Sequence, residues 1–534
     1  MADMPDAQEI EALKKALAQA LQSNEALSGE LRVVRTERDL LQEQLNRFKR
    51  QLFDAKSEAA GATHQKDLFF DEAEAEGAKA QPLAEAGEDD EGDRVDVPAH
   101  KRAKRGRKPL DPALPREVVR HELPEGERVC PHDGAVLAEI GVEVSEQLDI
   151  IPQQVRVIRH ERVKYACPCC DGGLRLAPKP PQVIPKGLLS EAALAWVITA
   201  KYLDGLPLYR QAALLARFGG AHWSRNTLAA SVVRVGAATQ PVINLLRDAL
   251  LDAPIVHGDE TEVQVLKEPG RKAQAKSYMW VQMTAASGKD GTGPPIRLFG
   301  YRPSRGTDAA KVLYEGMRSG GVLMSDGYEP YEAVARQHSL VHLGCWAHCR
   351  RYFHDALQAL PKDKRGPDQL AARFIELIGR LYHVEAQARR DEVDEHGLLS
   401  RRQKDSAPVL EQIKELALQH LHSVLPGSLL GKALHYVTAQ WPKLERYVQD
   451  GRYPIDNNDC ENAIRPFVIG RRNWLFADTQ AGSDASANLY SLLQTCMVNG
   501  IDGYRYLNAL LVALPKAKTV EDFEALLPWR IAPD

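Results

Sequence analysis

The chain has 534 residues, 44% apolar and 27% charged, which is too long for one ordinary domain and apolar enough for sizeable cores. No apolar run reaches the roughly 18 residues that span a bilayer, and the N-terminus is an acidic, polar helix pattern rather than a secretory signal, so a soluble cytoplasmic protein with no membrane partner is expected. The net charge of −4 hides a mildly basic body, because residues 67 to 96 hold twelve acids against Lys79 and Arg94, a net of −10 that leaves +6 elsewhere.

From Ile10 to Leu52 a seven-residue repeat places Ile10, Leu17, Asn24, Leu31, Arg38, Leu45 and Leu52 on one seam and Leu13, Ala20, Leu27, Val34, Leu41 and Phe48 on the other. Eleven of these thirteen are apolar, which predicts a coiled coil over residues 1–55; the alternative is a long solvated amphipathic helix. Asn24 in the seam favours one register, most often a parallel dimer, so a homo-oligomer is expected. Residues 56–98, rich in Ala, Glu, Asp and Gly, read as a disordered acidic linker. A basic segment follows at 99–121, with Lys101, Arg102, Lys104, Arg105, Arg107 and Lys108 as phosphate contacts; Arg105-Gly106-Arg107 suits a narrow minor groove, and a solvated charge run is the alternative.

Few cysteines for this length suit a reducing compartment, and the cluster Cys130, Cys167, Cys169 and Cys170 points to metal more than to disulfides. Residues 122–176 have the format of a zinc ribbon, two knuckles at the ends of β-like segments. A regular first knuckle would carry Cys where Asp133 stands, so His132 or Asp133 must complete a structural Zn²⁺ site with Cys130, Cys167 and Cys170. The alternative is a ribbon that has lost its metal. Residues 187–252 read helical; the break at Gly219-Gly220 followed by Ser224 as a cap has the form of a helix-turn-helix, with Arg225, Asn226 and Thr227 opening the recognition helix. A plain helical hairpin fits those residues equally.

Strands are predicted at Ile255–Val265, Ser277–Thr284, Ile296–Tyr301, Gly321–Met324 and Leu340–Cys345, with helices at Thr307–Met317 and Tyr331–Arg336. Three strands in hairpin succession, then alternating helix and strand, indicate a mixed sheet covered by helices, the order of a ribonuclease H-like core at 253–352. Residues 353–450 read as a helical insertion, 451–480 as the return to the core and 481–534 as a helical C-terminal element. The fold class expected is thus multidomain α+β.

Apolar runs deliver acids at three points, Asp259 with Glu260, Asp326 before Gly327, and the segment Asp456 to Glu461. Such acids could converge on Mg²⁺, which accepts a few carboxylates and leaves positions for water and phosphate, as in a phosphoryl-transfer enzyme. On a helix starting near Asn457, the residues Asn457, Asn458, Glu461 and Arg465 share a face, so Arg465 can orient Glu461 or hold a DNA phosphate. Asp456 and Asp459 suit capping, and Pro466 should kink or end the helix. Cys345 and His348 read as packing and positioning rather than half a metal site. Arg350, Arg351, Arg471 and Arg472 are candidate phosphate contacts.

The motifs His257-Gly258-Asp259-Glu260-Thr261, Ser325-Asp326-Gly327-Tyr328, Cys345-Trp346-Ala347-His348-Cys349-Arg350-Arg351 and Asp456 to Pro466, the last followed by Ile469 to Phe476, resemble the DDE transposases of the insertion-sequence-66 family. The resemblance covers nearly the whole chain. It implies catalytic acids Asp259, Asp326 and Glu461 with two Mg²⁺ or Mn²⁺ ions, Asp259 bridging both and the other two holding one each. It further implies an enzyme acting on terminal inverted repeats and target DNA, nucleoid-associated when bound, with accessory proteins of the element as further partners. The rival expectations are a ribonuclease H-like nuclease without strand transfer and a catalytically silent DNA-binding coiled-coil protein.

Overall fold

The computed structural model describes residues 155–165, 175–219, 223–284 and 293–531, with a few isolated positions besides. The heptad segment, the acidic linker, the basic segment with Lys101, Arg102, Lys104, Arg105, Arg107 and Lys108, and the ribbon ligands Cys130, His132, Cys167 and Cys170 lie outside the described residues. The chain divides into two compact units, one of residues 1–81, 160–214 and 222–534, the other of 82–159 and 215–221. Among the described residues no helix is long and apolar enough to cross a membrane.

In the larger unit a short antiparallel pair, β1 (Lys164–Tyr165) and β2 (Arg175–Leu176), precedes the helices. These are α1 (Glu191–Tyr202), α2 (Leu208–Gly219, whose residues from 215 onward fall in the other unit), α3 (Arg225–Ala238) and α4 (Gln240–Leu251). The Ser224 hydroxyl accepts from the Thr227 N–H at 3.1 Å, the cap read from the sequence.

The sheet comprises β3 (Ile255–Lys267), β4 (Lys276–Met283), β5 (Arg297–Arg302), β6 (Val322–Ser325), β7 (Val341–Gly344) and β8 (Ala477–Thr479), its main path ordered β5-β4-β3-β6-β7. The pairs β3–β4 and β4–β5 are antiparallel; β3–β6 and β6–β7 are parallel, and β8 joins the far end of β3 in parallel. Between them run α5 (Thr307–Leu313) and α6 (Glu329–Gln337). The sheet is therefore mixed, as the strand succession foretold. Helix α5 stops four residues short of its expected end, just before Gly316 turns the chain at φ +87°.

After β7 come α7 (Trp346–Ala359) and the insertion, α8 (Leu370–Arg390), α9 (Glu395–Arg401), a π turn at Arg402–Ser406, α10 (Ala407–His420) and α11 (Leu429–Leu444). These helices share an apolar core of their own, built on Phe353, Phe374, Ile378, Tyr382, Ile413, Leu434 and Trp441. The Arg402 guanidinium is buried there, donating to Glu385 at 2.7 and 2.8 Å and to the carbonyls of Tyr447, Asp450 and Tyr453 at 2.8–2.9 Å. The chain re-enters the core through α12 (Asn458–Trp474), then α13 (Gln480–Val498), α14 (Gly503–Ala513) and α15 (Val520–Glu524). Hydroxyls of α13 cover the outer edge of β5, Ser491 accepting from the Phe299 N–H at 2.8 Å and Thr495 from the Arg297 N–H at 3.1 Å.

Pro466 does not end its helix. Helix α12 continues for eight residues to Trp474, because its buried face, Ala463, Ile464, Phe467 and Gly470, runs on past the proline and offsets the one backbone bond it cannot donate.

Candidate active site

The parallel register places two of the acids. His257 stands opposite Met324, so two residues further on each strand Asp259 and Asp326 come level, at the carboxyl end of the β3–β6 pair. A glycine at 258 is required by close approach, since a Cβ there would lie 2.1 Å from the Tyr314 hydroxyl and 2.8 Å from the Tyr331 ring. Asp326 is turned by Gly327 at φ +89° and accepts the Tyr328 N–H at 2.9 Å on its own carboxylate. Behind it, the Ser325 hydroxyl lies 2.8 Å from His342 Nε2 and accepts the Gly327 N–H at 3.3 Å. Tyr436, from the insertion, donates to the Asp326 carbonyl at 2.8 Å.

The third acid arrives on the first turn of α12. Asn457, fully buried before that helix, donates to the Gly258 carbonyl at 2.9 Å and places its side-chain oxygen 3.0 Å from His257 Nδ1. Its backbone N–H reaches Cys345 Sγ at 3.2 Å, so three separate motifs meet at one residue. Asp456 accepts the Asn458 N–H at 3.0 Å in a turn ahead of the helix, whose N-cap is Asn457 and carries no side-chain cap bond, and takes the Tyr382 hydroxyl at 2.7 Å. Glu461 itself faces Arg351, whose Nη2 is 3.0 and 3.3 Å away, and His348 Nδ1 at 3.4 Å.

Burial and charge act together on these acids. Burial, and after it the charges of Glu260, Asp326 and Glu461, hold the Asp259 carboxyl well above the usual carboxylate range, against the opposing Glu260 N–H at 2.8 Å. Glu260 is also raised by burial and by Asp326, but Tyr331 and Arg305 donate to it at 2.6 Å each, and the Arg305 guanidinium lies 3.9 Å over the Tyr328 ring. Glu260 thereby ties β3 to α6. The His348 imidazole is pushed down by burial, with Glu461 opposing.

Oxygen donors that repel one another suit a hard divalent cation. Among the described residues, however, no group of three or more His, Cys, Asp or Glu side chains is arranged to hold a metal ion. The acids are neighbours in charge without forming a coordination sphere, and Glu461 is engaged by Arg351 and His348.

Of the candidate phosphate contacts, Arg225, Asn226 and Arg472 are exposed, and Arg465 and Arg471 are half-buried on α12. Arg471 Nη1 donates to the Thr261 hydroxyl at 3.2 Å, two residues from Asp259. Arg350 is corrected: it is 2% exposed, on the inward face of α7, and does not reach a surface phosphate. The Arg351 and His348 contacts to Glu461 were missed, since 110 residues separate them and no periodicity links such positions. The only available signal was their place in the Cys345–Arg351 motif.

The family model described as "Transposase IS66 family" matches residues 186–485. Residues 127–171 match the zinc-finger binding domain of transposase IS66, 40–119 the segment described as "Transposase C of IS166 homeodomain", and 491–529 the IS66 C-terminal element. Similar chains come from Sinorhizobium fredii. Uncharacterized protein y4qI is 33% identical over 443 residues, 81% of this chain and 79% of its own, and Uncharacterized protein y4jD is 31% identical over 455, 84% and 86% respectively.

Proposed function

The chain belongs to the IS66 family of transposases, and on that premise we propose that it binds the terminal inverted repeats of its element, cuts the 3′ ends and joins them to target DNA. The observation that carries this reading is the β3–β6 register, which brings Asp259 level with Asp326, together with the Asn457 bonds that fix the start of α12 against Gly258 and His257. The sheet order, three antiparallel strands continued by two parallel ones, supports a ribonuclease H-like core.

In this proposal Asp259, Asp326 and Glu461 would hold two Mg²⁺ or Mn²⁺ ions, which would supply activation of the attacking oxygen and stabilisation of the leaving one at phosphorus. Arg351 and His348 hold Glu461 in place meanwhile. Glu260, already occupied by Arg305 and Tyr331, stays outside the donor set. The basic segment, the ribbon at 127–171 with Zn²⁺ on Cys130, Cys167, Cys170 and His132 or Asp133, and Arg225 and Asn226 on α3 bind DNA. The heptad segment pairs two copies, as cutting two ends requires.

The test is cleavage of a supercoiled plasmid carrying the element's ends, comparing the parent with Asp259→Asn, Asp326→Asn and Glu461→Gln. Nicking lost in all three with DNA binding retained supports the roles; nicking retained in any one removes that residue. Strand transfer from pre-nicked ends separates a transposase from a nuclease. Binding by the parent without Mg²⁺-dependent cleavage would leave a silent DNA-binding protein.

A further inference from the structure

Helix α12 ends in an unusual way. Leu475, which follows its last residue, has φ +68° and ψ −48°, and the Phe476 N–H returns to the Trp474 carbonyl at 2.8 Å. That is a γ-turn of the positive-φ kind, rare and strained for any residue with a Cβ. Helix ends that need positive φ ordinarily take glycine or asparagine. Here the position holds a leucine whose side chain contributes little to packing, being 67% exposed, next to Phe476 at 43%. Stability does not account for it.

The surroundings say what the leucine faces. Ile469 is 44% exposed and shares a helix face with exposed Arg472, one turn before Leu475. On the other side Leu475 borders a cleft of about 330 Å³ lined also by Val263, Gln264, Lys276 and Arg471. Lys276 is ion-paired to Glu262 at 2.7 Å, so Arg471 is the cation that distinguishes this rim, with exposed Arg472 next to it in sequence on the helix. Arg471 reaches Thr261, and α12 carries Glu461, so the rim is continuous with the acid site through both β3 and α12. Along α12, at about 1.5 Å per residue, Leu475 lies ~21 Å from Glu461, or about six steps of duplex at ~3.4 Å. Apolar side chains flanked by arginine are the chemistry that meets an unstacked base beside a phosphate backbone.

We infer that Leu475, with Phe476, is an apolar wedge that packs against a base of the bound DNA end a few nucleotides from the cut, while Arg471 and Arg472 hold the adjoining phosphates. The inference rests on the transposase reading and adds to it a contact that reads DNA deformability.

The experiment titrates duplexes of the element's end, carrying 2-aminopurine at successive positions, with the parent, Leu475→Gly, Leu475→Phe and Phe476→Ser. The parent should raise the fluorescence at one or two positions. Leu475→Gly should abolish that rise and weaken binding about tenfold, the scale of one lost base contact, while its Tm increases because the turn is relaxed. Leu475→Phe should keep the signal. An unchanged signal and affinity in Leu475→Gly, or a lowered Tm, overturns the wedge while leaving the transposase reading intact. A parent that shows the signal but never cleaves supports the wedge and sinks the catalytic reading; a parent that binds no DNA overturns both.

Discussion

Asn457→Ala tests whether one buried amide organises the acid site. The substitution deletes a donor to the Gly258 carbonyl at 2.9 Å and an acceptor for His257 Nδ1 at 3.0 Å, both in surroundings closed to water. A buried hydrogen bond contributes about 1 kcal/mol, and a buried group deprived of its partner costs about 1–3 kcal/mol, so the loss should be about 2–4 kcal/mol. That is well within the usual 5–15 kcal/mol of a domain, so the fold should persist. A single global unfolding energy is ill-defined for a chain of several domains, so the readout is native-state hydrogen exchange. Amides at 257–259 and at 460–464 should exchange ~30- to 700-fold faster at ~1.4 kcal/mol per factor of ten. DNA nicking should fall further than the folded fraction does, because Asp259 and Glu461 lose their common tether. Exchange accelerated less than about threefold at both segments would refute the reasoning.

Two further outcomes follow from buried charge. A carboxyl raised in the folded state, as Asp259 is, binds its proton more tightly folded than unfolded, so its contribution to stability falls as pH rises from the ordinary carboxylate value through the raised one. Asp259→Asn should therefore have a higher Tm than the parent at neutral pH in EDTA, an advantage that fades on acidification; a lower Tm at neutral pH would show that Asp259 is not repelled. Arg402→Met should cost the insertion about 3–5 kcal/mol, since it leaves Glu385 buried without its partner and frees three backbone carbonyls. Exchange across 407–417 and 447–453 measures it, and a change under ~1 kcal/mol would contradict the clamp.

Much of the architecture was legible because periodicity and turn chemistry act locally. The β-branched residues at 255, 256, 263 and 265, the glycine after Asp326 and the serine before Arg225 each fixed an element within a few residues of where it lies. Acid positions could be read because each sits at the end of such an element. What could not be read were contacts set by packing over long separations. Glu260 looked like a second candidate acid beside Asp259, yet alternation along β3 turns the pair differently and gives Glu260 to Arg305 and Tyr331. Pro466 looked like a stop, but a local rule yields when a helix is packed on several sides.

The helical insertion links Asp326 to the start of the helix that carries Glu461, 135 positions later. The insertion leaves from α7, immediately after β7, and returns just ahead of α12, so both its ends are anchored at the sheet. Within it Tyr436 grips the backbone of Asp326, Tyr382 grips the carboxylate of Asp456 and Arg402 gathers the carbonyls that lead into α12. Trp346, at the start of α7, donates to the Leu444 carbonyl at 2.9 Å and closes the circuit. These bonds run from one compact apolar core to two separate acid-bearing turns, and densely packed side chains pass on displacements of a single methylene. A shift of the insertion would therefore move Asp326 and the start of α12 relative to β3, and the spacing of the acids is a property of the inserted helices as much as of the strands.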